Sequence, residues 1–334
     1  VMWYAAQHAH GFHHAADYGF DVAVKGHDWG GLKERRDAYI ERLNGIYERN
    51  LDKREVTYLR GRARFIDANT LDIDGCEVQA DRIVVATGGR PMVPDIPGAE
   101  LGITSDGFFE LAERPQRVLI AGSGYIAVEL AGVFKALGSN VQLVVRKDSV
   151  LRDFEPMLAE RLMDCMDRDE IDLVTRVVPK SVEQTDDGIV MQSEDGRSFG
   201  PVDALVWAIG RSPNTESLDA AKAGVEQDEW GFIPTDKYQQ TNVESVFAIG
   251  DVTGRDALTP VARAAGRRPA ERLYGGMEGR HREYEQIPTV IFSHPTLGTD
   301  GLSEKDARET YGDDVKVYTS DFFGMYYALG MNKR

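Results

Sequence analysis

Cysteine is nearly missing from this chain of 334 residues. Cys76 and Cys165 stand far apart, make no CxxC and have no metal-ligand spacing. That excludes a disulfide scaffold, gives no pattern for a metal centre, and points to a reduced, cytoplasmic compartment. Long apolar runs are also missing. None approaches the ~18 residues of a membrane span, so no membrane partner is expected. Positive charge is in deficit, with 39 Lys and Arg against 55 Asp and Glu and a formal net charge of −16. Such a balance argues against a nucleic-acid partner, although a local basic site can still sit in an acidic molecule. The first residues, VMWYAAQHAH, are helix-like and have no charged n-region, h-region or cleavage site. The chain opens on Val1 and stops at YYALGMNKR, and both ends read as cuts in a longer protein.

What is present is a soluble globular composition, 42% apolar, long enough for two or more domains. The most informative stretch is QRVLIAGSGYIAVELAGVFKALGSNVQLVVRK. The spacing predicts a strand over Val118–Ala121, a Gly122-Ser123-Gly124 turn, a helix from about Tyr125 to Leu137 capped by Gly138, and a second strand from Val141. This is a βαβ unit of dinucleotide-binding length. Gly122 permits the tight turn, Gly124 lets backbone approach a pyrophosphate, and Ala127 takes the third small position, where helix meets strand. The helix N-terminus supplies N–H groups and dipole to the phosphates.

The second strand ends in Arg146-Lys147, with Arg152 in the following loop. An NAD site usually carries Asp or Glu here, accepting from the ribose 2′-hydroxyl. Guanidinium groups instead suit a 2′-phosphate, so NADPH is the expected nucleotide. Asp148 lies nearby and pulls weakly the other way.

Three further stretches echo one another. DRIVVATGGRP (81–91), DALVWAIGRSP (203–213) and ESVFAIGDVTG (244–254) each run an apolar strand into Ala-x-Gly, as central parallel strands do. The second would close the domain that holds Gly122. The first and third imply another nucleotide-binding domain, split around it. Asp251 ends the third echo, where a carboxylate could accept from a ribose or polyol, or simply turn the chain. After it, LTPVARAAGRRPAERL reads as a helix with Thr259 at the N-cap and Pro260 at N1, while Pro269 predicts a break or kink.

Together with VMWYAAQ, YGFDV, ATGGRPMVPDIPGAELGITSDGFF, GSGYIAVELAGV, AIGRSPN, AIGDVTG, LTPVA, IPTVIFSHPTLGTDGL and MYYA, these motifs resemble the two-dinucleotide flavoprotein disulfide reductases, the FAD-dependent pyridine nucleotide-disulfide oxidoreductases of class I. The resemblance covers essentially the whole chain. It implies an α/β fold with two Rossmann-like domains, one inserted in the other, plus a truncated α+β interface domain. The expected boundaries are 1–91 for the FAD-binding part, 92–213 for NADPH, 214–284 for the return to the FAD and central region, and 285–334 for a dimer interface. FAD, NADPH, a redox-active dithiol, glutathione disulfide as substrate and a homodimer are the implied partners.

Residue by residue, the resemblance assigns Gly122, Ser123, Gly124, Ile126, Arg146, Arg152, Gly210 and Arg211 to NADPH. Tyr125 matches the ring that lies over the flavin and moves aside for nicotinamide. Glu129 matches the carboxylate beside that nicotinamide, and Val290 a backbone contact to its amide. Ala63, Asp251, Ala257 and Thr259 match positions around FAD. Ile46 and Tyr47 match residues that pack on the disulfide substrate, and Arg267 matches the cation that meets a glutathione carboxylate. Trypanothione reductases carry a neutral residue there.

The family's CVNVGCVPKK redox segment, its N-terminal FAD fingerprint, the lysine that pairs with the Glu129 counterpart and the general base in its HPT motif have no counterpart in these residues. The chain alone is therefore expected to be inactive, lacking redox cysteines and base. His294-Pro295-Thr296 spells HPT, but its neighbours belong to the start of the interface domain. His8, His10, His13 and His14 match a variable surface helix, and no metal is expected. Two rivals stay open: another reductase of this architecture, such as a lipoamide or mercuric reductase, and a redox-inactive nucleotide-binding module.

Overall fold

The computed structural model describes residues 1–330. It falls into two compact units, one of residues 1–41, 91–210 and 286–334, the other of 42–90 and 211–285.

The first unit is built on a five-stranded parallel sheet in the order Ile103–Thr104, Ala204–Trp207, Arg117–Ala121, Asn140–Val144, Asp172–Val174. Its central strands are buried on both faces, which is why they read as unbroken apolar runs. The period of two then sorts them. Val118, Ile120, Leu143, Val145 and Val206 face a helical layer of Ala127, Val128, Leu130, Ala131 and Phe134, joined by Trp29 and Phe108. Leu119, Ala121, Val144, Leu205 and Trp207 face the other way, onto Val182, Met191, Phe199 and Val202. Those last residues belong to an antiparallel meander, Pro179–Thr185, Gly188–Ser193 and Ser198–Val202.

Helix Met2–His14 packs against helix Tyr125–Ala136. Its inward face is Met2, Ala6 and His10, four residues apart. The four histidines are therefore not equivalent. His8 and His13 are exposed, as a surface helix predicts, but His10 and His14 are partly buried. His10 lies 4.7 Å, ring to ring, from the buried His294, which also stacks on Trp3 at 5.9 Å.

The second unit pairs Ile83–Val85 with Val246–Ala248 in parallel, joining the first and third echoes of the sequence. A meander of Ala63–Phe65, Thr70–Ile73 and Cys76–Gln79 lies in the same unit, and Phe65, Ile83, Val85, Ile233, Val246, Ala248 and Val252 form its core.

Two sequence expectations are corrected. Helix Thr259–Tyr274 is N-capped by Leu258, with Thr259 already helical and no side-chain cap. The same helix runs through Pro269 rather than ending there. Val261, Ala265 and Pro269 recur every four residues as its buried stripe, so packing offsets the lost backbone donor. Residues 315–324 form no strand, and Phe322 is left 84% exposed.

Candidate nucleotide-binding site

The glycine turn is set by its neighbours. Gly122 has φ +147°, and a Cβ there would run into the Ala208 carbonyl at the end of the adjacent strand. Only glycine fits so close an approach. A Cβ on Gly124 would meet no atom within 4 Å. The side of the turn at the N-terminus of helix Tyr125–Ala136 is thus open, and by helix geometry its first N–H groups have no intrahelical acceptor. An anion would be met there by backbone donors and the positive end of the helix dipole. Ser123 and Ile126 are half-buried on the same turn, and Ala127 is fully buried against the sheet.

The basic loop is tied to this turn by backbone. Gly122 N–H donates to the Val144 carbonyl at 3.0 Å, and Leu151 N–H donates to the Ser123 carbonyl at 2.7 Å. Val150 and Leu151 are buried, which anchors the loop and leaves Arg152 outside. Arg146, Lys147 and Arg152 are exposed, and among the described residues neither Arg146 nor Arg152 takes part in an ion pair. Asp148 is paired with Arg176.

Glu129 lies just over one helical turn beyond Tyr125. Glu129 is half-buried and accepts from the Phe292 N–H at 2.8 Å. Burial pushes its carboxyl above the ordinary 4.5, and the Phe292 bond works against that rise. The bond ties Glu129 to strand Thr289–Ile291, which carries the exposed Val290. Tyr125 is exposed at the first position of its helix. At the other edge, Gly210 has φ +138° and its carbonyl accepts from Met92 N–H at 3.0 Å.

The remaining candidates lie in the second unit. Arg211 donates to the Gly89 carbonyl at 2.5 Å. Asp251 sits in the 3₁₀ turn Gly250–Thr253, half-buried, and that turn packs on helix Thr259–Tyr274, where a Cβ on Gly250 would be 3.2 Å from the Ala262 methyl. The turn is thereby held close to the helix that starts at Thr259, while Ala257 and Thr259 are exposed. Ala63 begins a strand of the meander. Ile46 is half-buried and Tyr47 exposed on helix Trp29–Lys53. Of the four arginines on helix Thr259–Tyr274, Arg268 pairs with Glu271 and Arg272 lies over the Tyr238 ring. Arg267 is exposed and makes no ion pair among the described residues.

A family model described as "Pyridine nucleotide-disulphide oxidoreductase" matches residues 2–266, and the dimerisation domain of the same family matches 287–334. The chain belongs to this family. As a pyridine nucleotide-disulphide oxidoreductase it is 45% identical over 340 residues to a glutathione reductase of Schizosaccharomyces pombe, covering 98% of this chain and 73% of that protein. It is 41% identical over 349 residues to a glutathione reductase of Yarrowia lipolytica, with 98% and 74% covered. Among solved structures it is similar to the HOCl-induced flavoprotein disulfide reductase RclA from Escherichia coli. The TM-score is 0.81 and the identity 26%, over 92% of this chain and 68% of that one.

Within this oxidoreductase the sequence reading missed three participants. The backbone N–H of Phe292 carries no side-chain signal. Leu151 is an apolar residue in a loop, marked only in the structure by φ +50°. Arg176 lies 28 residues from its partner Asp148, beyond any local pattern.

Proposed function

We propose that the chain supplies the cofactor- and substrate-binding parts of an NADPH-dependent, FAD-containing glutathione-disulfide reductase that works as a homodimer in the cytoplasm. The overall reaction is NADPH + GSSG + H⁺ → NADP⁺ + 2 GSH. The observation that carries it is the pair of unengaged arginines, Arg146 and Arg152, set beside an open glycine turn by the Leu151–Ser123 hydrogen bond. Two guanidinium groups without an internal partner suit a ribose 2′-phosphate.

In this reading the N–H groups from Ser123 to Ile126 take the pyrophosphate, with Gly210 and Arg211 bordering the nucleotide. Tyr125 covers the nicotinamide position and moves aside for it. Glu129, held by Phe292, and the backbone at Val290 orient the carboxamide. Ala63, Asp251, Ala257 and Thr259 hold FAD, which when bound relays two electrons between nicotinamide and a disulfide. Ile46 and Tyr47 pack on glutathione disulfide, and Arg267 meets one of its carboxylates. The roles divide along the chain as 92–213 for NADPH, 1–91 with 214–284 for FAD, and 285–334 for the dimer interface.

The test is NADPH consumption by the FAD-loaded gene product that carries these 334 residues, with glutathione disulfide, lipoamide and mercuric ion offered in turn. Glutathione disulfide is expected to be the preferred acceptor and NADPH the preferred donor. Preference for lipoamide or mercuric ion, or equal use of NADH, would overturn the reading.

A further inference from the structure

Asp148 is a liability where it stands. It is two residues from Arg146, at most about 7 Å of extended chain and inside the ~8 Å Debye length of physiological salt, and it shares a loop with Arg152. A free carboxylate there would repel a bound phosphate dianion and compete for the two arginines that are meant to meet it.

The structure removes that carboxylate from play. Arg176 pairs with Asp148 through its Nε. The loop that carries Arg176 is laid alongside the basic loop by three backbone bonds. Val145 N–H donates to the Val174 carbonyl at 2.9 Å, Val177 N–H to the Val145 carbonyl at 3.0 Å, and Arg176 N–H to the Lys147 carbonyl at 3.2 Å. Arg176 itself is held at φ +56°. Its carbonyl accepts from Arg197 at 2.5 Å, and Arg197 is steadied in turn by Asp195 at 2.7 Å. An exposed pair of this kind adds little to folding stability. The backbone bonds extend the parallel pairing of strands Asn140–Val144 and Asp172–Val174 past the strand ends, and so bring Arg176 to Asp148.

We propose that Arg176 is a specificity-determining positioning residue: by engaging Asp148 it keeps the carboxylate off Arg146 and Arg152 and leaves both free for the 2′-phosphate. The inference rests on the NADPH reading above.

The test titrates the full chain with 2′,5′-ADP and with 5′-AMP, which differ by that one phosphate. Arg176→Gln is expected to weaken 2′,5′-ADP about three- to tenfold, the scale of one screened unit charge beside a dianion, and to leave 5′-AMP unchanged. Arg176→Lys should hold 2′,5′-ADP near the wild-type level, and Asp148→Asn combined with Arg176→Gln should restore it. Loss without restoration would overturn the inference, because Arg176 would then be meeting the phosphate itself. An unchanged Arg176→Gln in a wild type that favours 2′,5′-ADP would overturn it alone. A wild type that does not favour 2′,5′-ADP over 5′-AMP would overturn the NADPH reading and this inference with it.

Discussion

Replacing Arg146 and Arg152 together by glutamine is the sharpest perturbation of the proposed nucleotide site. Both side chains are exposed and neither makes an ion pair among the described residues, so the folded protein loses no internal contact. Surface changes of that kind stay within about 0.5 kcal/mol of stability. The loop that carries Arg152 should also keep its shape, because it is held by the buried Val150 and Leu151 and by the Leu151–Ser123 backbone bond rather than by the arginine. The loss should therefore fall on the ligand. A hydrogen bond to a charged group contributes about 1.5–3 kcal/mol. Two such contacts to one phosphate are coupled and need not add, so the double variant should lose at least about tenfold in affinity for NADP⁺, the value of one contact, and more where the two add. NAD⁺ lacks the phosphate and should bind within about twofold of wild type, since a change that small is only ~0.4 kcal/mol. Calorimetric titration of both nucleotides, beside thermal unfolding of both proteins, makes the measurement. Equal losses for NADP⁺ and NAD⁺, or a large fall in melting temperature, would refute the reasoning by showing the arginines to be ordinary surface or structural groups.

Three further outcomes follow from other parts of the chain. Because burial raises the Glu129 carboxyl above its ordinary 4.5, the native state holds that proton more tightly than the unfolded chain does. Stability therefore falls as pH rises from about 4.5 through the raised value and is level above it. Glu129→Gln keeps an acceptor for Phe292 and removes the penalty, so urea midpoints should favour the variant at neutral pH and converge in acid; a difference independent of pH would count against this. Trp207 is fully buried and donates to the Ala99 carbonyl at 2.8 Å, which also accepts from the Gly102 N–H at 3.1 Å, so Trp207→Phe removes one of that carbonyl's two bonds and leaves a void in the core; it should cost about 1–3 kcal/mol in chemical denaturation, whereas a cost near zero would show the bond to be incidental. Residues 1–334 assayed alone should not reduce glutathione disulfide with NADPH, since Cys76 is exposed in one unit and Cys165 buried in the other; turnover abolished by Cys76→Ser or Cys165→Ser would contradict that.

Much of this molecule is written in short-range pattern. Val118–Ala121, Gly122-Ser123-Gly124 and the apolar helix after them declare a βαβ unit, because a buried parallel strand must be apolar on both faces and its turn must be free of Cβ atoms. The three Ala-x-Gly echoes announce which strands pair, and the structure joins the first to the third while the second lies beside Arg117–Ala121. Arg146 and Arg152 declare themselves by charge in an acidic chain. Other features depend on residues that meet only after folding. Nothing near Asp148 shows that Arg176 will engage it, nothing near Glu129 shows that the Phe292 amide will hold it, and Pro269 reads as a helix breaker until the buried stripe it completes is seen. Local sequence fixes backbone geometry and side-chain type, which are decided within a few residues. Which charge is neutralised, which carboxylate is buried and which helix-breaking residue is tolerated depend on atoms contributed from distant parts of the chain, and only the packed tertiary structure decides those.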